Sequence, residues 1–326
     1  MADATAALLF PKHPVHPLRG YIYIACSAVF WGMSASLGRA AFTGRLVPAS
    51  NIAAIDPLIL SQARTTFSFL LVGLGLLFIR GPRALRLPWS DFAKLLLLGF
   101  LGVAASNYFY YLAIQRTNVA TAIIVQYTAP IWVLLYTLAR RIEKPTVSKL
   151  VSVVLAIGGI ALVIGLFGQG KLHLDQMGVA AALIAAFSFA YYNVGGHYLL
   201  ARYDRWMVLL YTTWAASLFW ICVNPPQRIA AAHYSPGAWC FLFAFSVLSV
   251  LIPFTFYFAG LQHLQPTKAI IASCLEPVFT VVIAAVALHE VVRPLQAMGM
   301  VMVLASILVV QRSTTDVVCS SVDPVD

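Results

Sequence analysis

"AIIVQYTAPIWVLLYTLARRIE" (122–143) and "AIIASCLEPVFTVVIAAVALHE" (269–290) read as one segment written twice, 147 residues apart. With no gap, Ala122-Ile123-Ile124 meets Ala269-Ile270-Ile271, Pro130 meets Pro277 and Glu143 meets Glu290. Upstream in the same register, Tyr110 meets Tyr257 and Gln115 meets Gln262. Apolar identities carry little weight in so apolar a chain; the Gln, Pro and Glu matches carry more. A repeat at fixed offset makes the chain two copies of one unit.

The unit belongs in a membrane. Of 326 residues, 61% are hydrophobic and 10% charged, with mean hydropathy +0.87, whereas soluble domains carry about 25% charged residues. Apolar runs of roughly 20 residues, each long enough to cross a hydrocarbon core, recur throughout. They place ten spans near 20–43, 57–79, 92–113, 117–139, 148–167, 177–200, 206–224, 237–261, 267–288 and 294–311. Short polar connections such as "RGPRALRLPWSD" and "RRIEKPTVSK" join them, and residues 44–56 show no helical period. The expectation is an all-α, multi-pass integral protein of the cell membrane. The apolar run after Arg19 is span-length and lacks a small-residue cleavage site, so it reads as the first span and not as a signal peptide. Five cysteines, four of them in apolar runs, suggest neither a disulfide framework nor a metal site.

The formal charge of +10 is a topology signal. With a cytoplasmic N-terminus, 14 Lys and Arg fall inside, Arg83, Arg140, Lys144 and Lys149 among them, against 6 outside, including Lys171, Arg228 and Arg293. That is the positive-inside bias, and no nucleic-acid partner is expected. Both termini are then cytoplasmic. The halves are spans one to five and six to ten. Five is odd, so the second half enters the membrane from the opposite side, and Glu143 and Glu290 land on opposite faces. The expected organisation is a cytoplasmic segment 1–19, a first five-helix repeat 20–167, a second 168–311, and a polar cytoplasmic tail 312–326. Inverted repeats of this kind build secondary transporters with a site at the midplane.

The paired segments "APIWVLLYTLARRIEKPTVSK" and "LEPVFTVVIAAVALHEVVRPLQAMG" resemble the EamA-type repeat of the drug/metabolite transporter superfamily, over about residues 20 to 311. The specific elements are Pro130 and Pro277, each with a Glu thirteen residues later, together with Arg64 in "LSQARTTFSFLL" and Trp31 in "AVFWGMSAS". The resemblance implies a ten-helix carrier exporting amino acids, related metabolites or toxic compounds, with no cofactor. The first outer loop, through "GRLVPASNIAAID", departs from that pattern in being longer.

Glu276 is the residue that needs explaining. It lies about nine residues into its span, hence roughly 13 Å deep, where an unpaired carboxylate is costly. It reads either as a site for a substrate ammonium or a proton, or as a helix-packing ion pair. Pro277 lacks an N–H and clashes with the carbonyl four residues back, loosening the helix near Ser273; such loosening is tolerated beside a cavity. The repeat mate of Glu276 is Ala129, so the charge belongs to one half only. Arg64, about 10 Å down from the outer face, is the candidate partner, with snorkelling as the alternative. Lys268, at the start of its span, reads as an interfacial anchor.

Asn107, Tyr108 and Tyr111 share a face of the third span. Gln126 and Tyr127 precede Pro130 as Glu276 precedes Pro277. Trp31 and Ser34 lie one turn apart in the first span, and Tyr191 and Asn193 lie in the sixth. Together they suggest an aromatic, weakly polar chamber for an amphipathic zwitterion or organic cation; packing and interhelical hydrogen bonding are the competing uses. Small residues in "AIGGIALVIG" and "MGMVMVLAS" permit close contact of helices five and ten, either as a homodimer seam or inside one chain.

The sequence carries no HExxH, GxSxG or Walker A motif, so an enzyme is not expected. The expected function is a secondary-type transporter, an exporter of a small-molecule solute, working by alternating access in contact with membrane lipid. A channel or facilitator would show repeated polar rings, and a non-transporting receptor or scaffold would not need a deep Glu beside a Pro.

Overall fold

A computed structural model describes residues 16–42, 55–117, 119–165, 175–288 and 291–312. Every regular element among the described residues is helical. In chain order they are α1 (Pro17–Phe42), α2 (Pro57–Arg80), α3 (Trp89–Arg116), α4a (Val119–Gln126), α4b (Ala129–Ala139) and α5 (Val147–Val163). The second half supplies α6 (Gln176–Leu200), α7 (Arg205–Val223), α8 (Pro236–Leu261), α9a (Pro266–Ser273), α9b (Leu275–Leu288) and α10 (Pro294–Gln311). With the halves of α4 and α9 joined, nine of these helices are long and apolar enough to cross a membrane. The tenth, α5, is an apolar helix of 17 residues, about 25 Å long.

Local chemistry fixes the helix starts. Asp56 caps α2 through Oδ1, accepting from Leu58 N at 2.7 Å and Ile59 N at 3.3 Å, and Asp204 does the same for α7 at 2.9 and 3.2 Å. Thr146, Asp175 and Ser235 cap α5, α6 and α8, and Pro occupies the first helical turn of α2, α8, α9a and α10, where its missing N–H costs no hydrogen bond.

Two irregularities recur in both halves. The α4 helix stops at Gln126, four residues before Pro130, and α9 stops at Ser273, four residues before Pro277. The pyrrolidine ring excludes the carbonyl at that spacing, so each proline breaks its helix one turn upstream. The second irregularity was not anticipated: α3 widens into a π-helix over Leu98–Ala104 and α8 over Val247–Leu251. At the 147-residue offset the α8 segment falls on 100–104. Pro253 has no N–H to offer the carbonyl of Ser249, which accounts for the wide turn in α8. In α3 the matching position is Ser106, and there the widened stretch coincides with close packing. A Cβ on Gly99 would lie 2.5 Å from the Thr212 carbonyl oxygen of α7.

Packing follows the repeat. In the first half, α3 packs on α6; in the second, its mate α8 packs on α1. The mates α2 and α7 pack together, as do α5 and α10. The α5–α10 seam is tight, since a Cβ on Gly159 would stand 2.8 Å from the Gly299 carbonyl oxygen and one on Gly299 2.5 Å from that of Gly159. Of the two uses open for these small residues, intramolecular packing is the one observed. Polarity points inward: Ser27, Gln62, Thr65, Ser68, Asn193 and Ser246 are buried, while Leu74, Phe78, Ile79, Val301 and Leu308 face outward. That is the arrangement a hydrocarbon solvent demands. Glu290 and nearly all of the long first loop lie outside the described residues.

Candidate functional site

The polar centre of the bundle is a cleft between the halves. Three pairs of its lining residues are repeat mates, each 147 residues apart: Thr65 with Thr212, Val103 with Val250, and Asn107 with Phe254. Arg64 of α2 and Tyr192 of α6 join them, and Arg64 is the one charged residue of the lining. The threonine hydroxyls bond their own helix backbones, Thr65 to Ser61 O at 3.1 Å and Thr212 to Val208 O at 2.7 Å. The polarity left to the cleft is therefore that of Arg64, Asn107 and Tyr192.

Arg64 is held by α3. Its Nη2 donates to Asn107 Oδ1, and Asn107 Nδ2 donates to the Val103 carbonyl at 2.7 Å, at the end of the widened stretch. The amide is thus oriented so that its oxygen faces the guanidinium. Arg64 Nε is buried with no hydrogen-bond partner, and so is the hydroxyl of Tyr192, a residue only 2% exposed.

Glu276 opens α9b and is only partly buried. Tyr127, from the break in α4, faces its carboxylate, and Arg64 is the cation acting on it. No Arg64–Glu276 salt bridge forms among the described residues, and the Arg64 guanidinium engages Asn107 instead. The breaks do the placing: Tyr127 lies in the interruption of one repeat and Glu276 just past that of the other.

The remaining expected residues divide. Trp31 packs on Phe254 and Tyr257, at ring-centroid distances of 5.3 and 5.2 Å. Asn193 donates to the Tyr257 hydroxyl and leaves its own Oδ1 buried without a partner. Gln126 Nε2 reaches Ser106 Oγ at 3.5 Å. Ser34 bonds the Phe30 and Leu248 carbonyls, tying α1 to the wide turn of α8. Tyr108 instead packs on Phe219 and Trp220 of α7, and Tyr111 on Tyr110. Tyr191 faces outward at 41% exposed, and its neighbour Tyr192 lines the cleft. The sequence held the signal: Ala182, Ala185, Ala186 and Gly196 mark the packed face of α6, and Tyr192 shares their phase while Tyr191 does not. Lys268, expected at the interface, is 6% exposed and so is no interfacial anchor.

A second polar cluster closes one end of the bundle. After α4b the chain turns through Arg141, in the left-handed region at φ 54°, with Ile142 N donating to Thr137 O at 2.8 Å. The turn directs Glu143 inward, where Oε1 accepts from Thr267 N at 3.2 Å and Lys149 Nζ lies 3.1 Å from Oε2. Both side chains are fully buried. Thr267 is in the first turn of α9a, whose own N-cap residue, Gln265, makes no side-chain cap. A carboxylate from one repeat therefore caps a helix of the other, where the helix dipole favours it. Of the basic residues around the turn it is Lys149 that reaches the carboxylate, and Lys144 contributes its carbonyl, accepting from Lys149 Nζ at 3.0 Å.

Apolar helices in two equivalent sets around a central polar cleft define a repeat-built membrane transporter. The profile of the EamA-like transporter family matches residues 18–165 and again 176–312. The chain belongs to that family, within the drug/metabolite transporter superfamily, and is a multi-pass membrane protein. It is 22% identical over 297 residues to the uncharacterized inner membrane transporter YicL of Salmonella typhimurium, covering 90% of this chain and 95% of that one. It is 26% identical over 261 residues to the threonine/homoserine exporter RhtA of Escherichia coli K12, covering 79% and 84%. A protein crystal structure shares the fold with a TM-score of 0.69 at 20% identity, over 88% of this chain and 94% of that one.

Proposed function

We propose that this transporter is a secondary exporter of small amphipathic metabolites, amino acids and related compounds among them, working by alternating access at the central cleft. The observation that carries the reading is the cleft lined by repeat-equivalent residues around Arg64, with the Glu143–Lys149–Thr267 contact clasping the two repeats at one end. A site between inverted repeats can open to either side by rocking one repeat against the other. The free space in the cleft suits one water-sized group in this state, so solute entry requires such a motion. The exporter name of RhtA supports the direction, and the Lys/Arg distribution supports cytoplasmic termini.

In this mechanism Glu143 closes the cytoplasmic end, and Glu290, its repeat mate, does the same outside with Arg293 as its basic neighbour. The test is counterflow in proteoliposomes: vesicles preloaded with unlabelled L-threonine or L-homoserine should take up the labelled solute faster than empty ones. Trans-stimulation is a property of carriers, because a loaded site returns faster than an empty one. Equal uptake with and without preload would replace the carrier with a channel or facilitator. The absence of flux for every solute tried would overturn transport of this class.

A further inference from the structure

We infer that the cleft reads its solute by a carboxylate, held by the free Nε of Arg64 and the hydroxyl of Tyr192, with the solute's cationic group turned toward Glu276 and Tyr127. The inference rests on the transport reading above and assigns an orientation and a selectivity to the bound solute.

Two unpartnered donors carry it. Arg64 Nε and Tyr192 Oη are both buried without a hydrogen-bond partner, and both residues line the same cleft. Polar groups buried at this depth are ordinarily satisfied, and an exception needs a reason. The two do not satisfy each other, since both atoms stay without a partner, and the guanidinium can only donate. Asn107 is already engaged at both ends, accepting from Arg64 Nη2 and donating to the Val103 carbonyl, and neither orphan donor reaches it. What is missing is an anionic acceptor with two lone-pair sites, and a carboxylate supplies it.

Charge decides between a carboxylate and a phosphate. Arg64 is the single cation of the lining, and Glu276 acts on the same centre. A dianion would bring two negative charges to one guanidinium with a carboxylate nearby, whereas a zwitterion leaves the whole centre neutral. Arg64 and Glu276 form no ion pair among the described residues, the guanidinium being engaged by Asn107. A zwitterion answers that pair of opposite charges, its carboxylate on Arg64 and its ammonium toward the Glu276 carboxylate and Tyr127. Rings of Tyr192, Phe254 and Trp31 form the neighbouring wall, an apolar boundary that offers a side chain no counter-charge.

The experiment uses the purified full chain, with binding read by thermal shift and transport by counterflow. The probes are L-amino acids with small side chains, each beside its methyl ester (no carboxylate), its decarboxylated amine and its des-amino acid. The best-bound acid should exceed its ester and its amine by about tenfold or more, as loss of a charged hydrogen bond implies. Arg64→Gln should bring the acid down to the level of the ester, and Arg64→Lys should restore part of the gap. Tyr192→Phe guards against misfolding of the Arg64 variant. Its hydroxyl has no protein partner, so melting should hold while affinity for the acid falls severalfold and that for the ester does not. Glu276→Gln should erase the preference for the acid over its des-amino analogue while keeping the preference over the ester. An acid-to-ester ratio unchanged in both Arg64→Gln and Tyr192→Phe overturns the inference, as does counterflow of carboxylate-free amines as fast as the parent acids. Those outcomes leave the carrier reading intact. Failure of every probe to move in a folded protein removes both readings.

Discussion

Replacing Glu143 by Gln tests the clasp between the repeats. The glutamine oxygen can still accept from Thr267 N, so the cap on α9a keeps its shape, but Lys149 is left as a fully buried cation 3.1 Å from a neutral amide. The Lys144 carbonyl still accepts from the Lys149 Nζ at 3.0 Å but carries no charge. Removing one partner of a buried ion pair costs about 3–5 kcal/mol, because an uncompensated charge stays in low dielectric. Two consequences separate by where that cost falls. If the pair persists in every state of the transport cycle, Glu143→Gln lowers the melting temperature and leaves the access balance alone. If the clasp exists only while this end is closed, about 3 kcal/mol of its loss shifts the open-to-closed ratio roughly 150-fold toward open. The expected result is the second. A cysteine at Gln265, in a background without the native cysteines, should then label faster with a membrane-impermeant maleimide. The double change Glu143→Gln with Lys149→Met removes the stranded cation as well and should return the labelling most of the way to the parent rate. Unchanged melting and labelling in the single variant would refute the clasp. A double variant no better than the single would refute the electrostatic account of it.

Three further outcomes are expected. Gly159→Leu or Gly299→Leu should abolish stable folding or lower the melting point sharply, since a first side-chain atom already meets the partner carbonyl at 2.5–2.8 Å; Gly75→Ala, which meets nothing within 4 Å, should be neutral in detergent melting. Asn224→Leu strands the Gln62 acceptor that its amide serves at 2.7 Å between two buried residues, and should cost about 1–3 kcal/mol, read as a melting shift that Gln62→Leu in the same chain partly relieves. Cysteines near Lys171 and Arg228 should label from outside intact cells, and those near Arg83 and Lys144 should not; outside labelling at Arg83 reverses the orientation.

Much of the fold was legible because the membrane simplifies the code. With few charges, span-length apolar runs are unambiguous, and one ungapped offset tied Pro130 to Pro277 and so located both helix breaks. The wide turns were not legible. Pro253 marks the one in α8 only after the fact, and its counterpart in α3 has no proline at all, so no rule of local composition announces it. The site was half legible for a related reason. Arg64, Asn107, Tyr127 and Glu276 are polar groups whose depth alone demands an explanation. Tyr191 and Tyr192 differ by 100° of azimuth, which composition does not encode and the phase of the neighbouring alanines does. Lys149 stands where a connection meets the fifth span, and six residues of separation from Glu143 say nothing until the left-handed turn at Arg141 folds them together.

The widened turns of α3 and α8 also act as clockwork. A π turn is a helix carrying one residue more than its length allows, absorbed locally so that the helices above and below stay in phase. Were either stretch drawn out as regular α-helix, everything beyond it would advance by about 100° about the axis. Asn107 would swing off Arg64 and Ser106 or Tyr108 would come round in its place; in the other copy Phe254 would leave the wall it shares with Trp31. Deleting a single residue within 98–104 should therefore let the stretch close up as regular α-helix with Asn107 still turned toward Arg64. The supernumerary residue, carried in both halves, sets the hour at which each helix points to the centre.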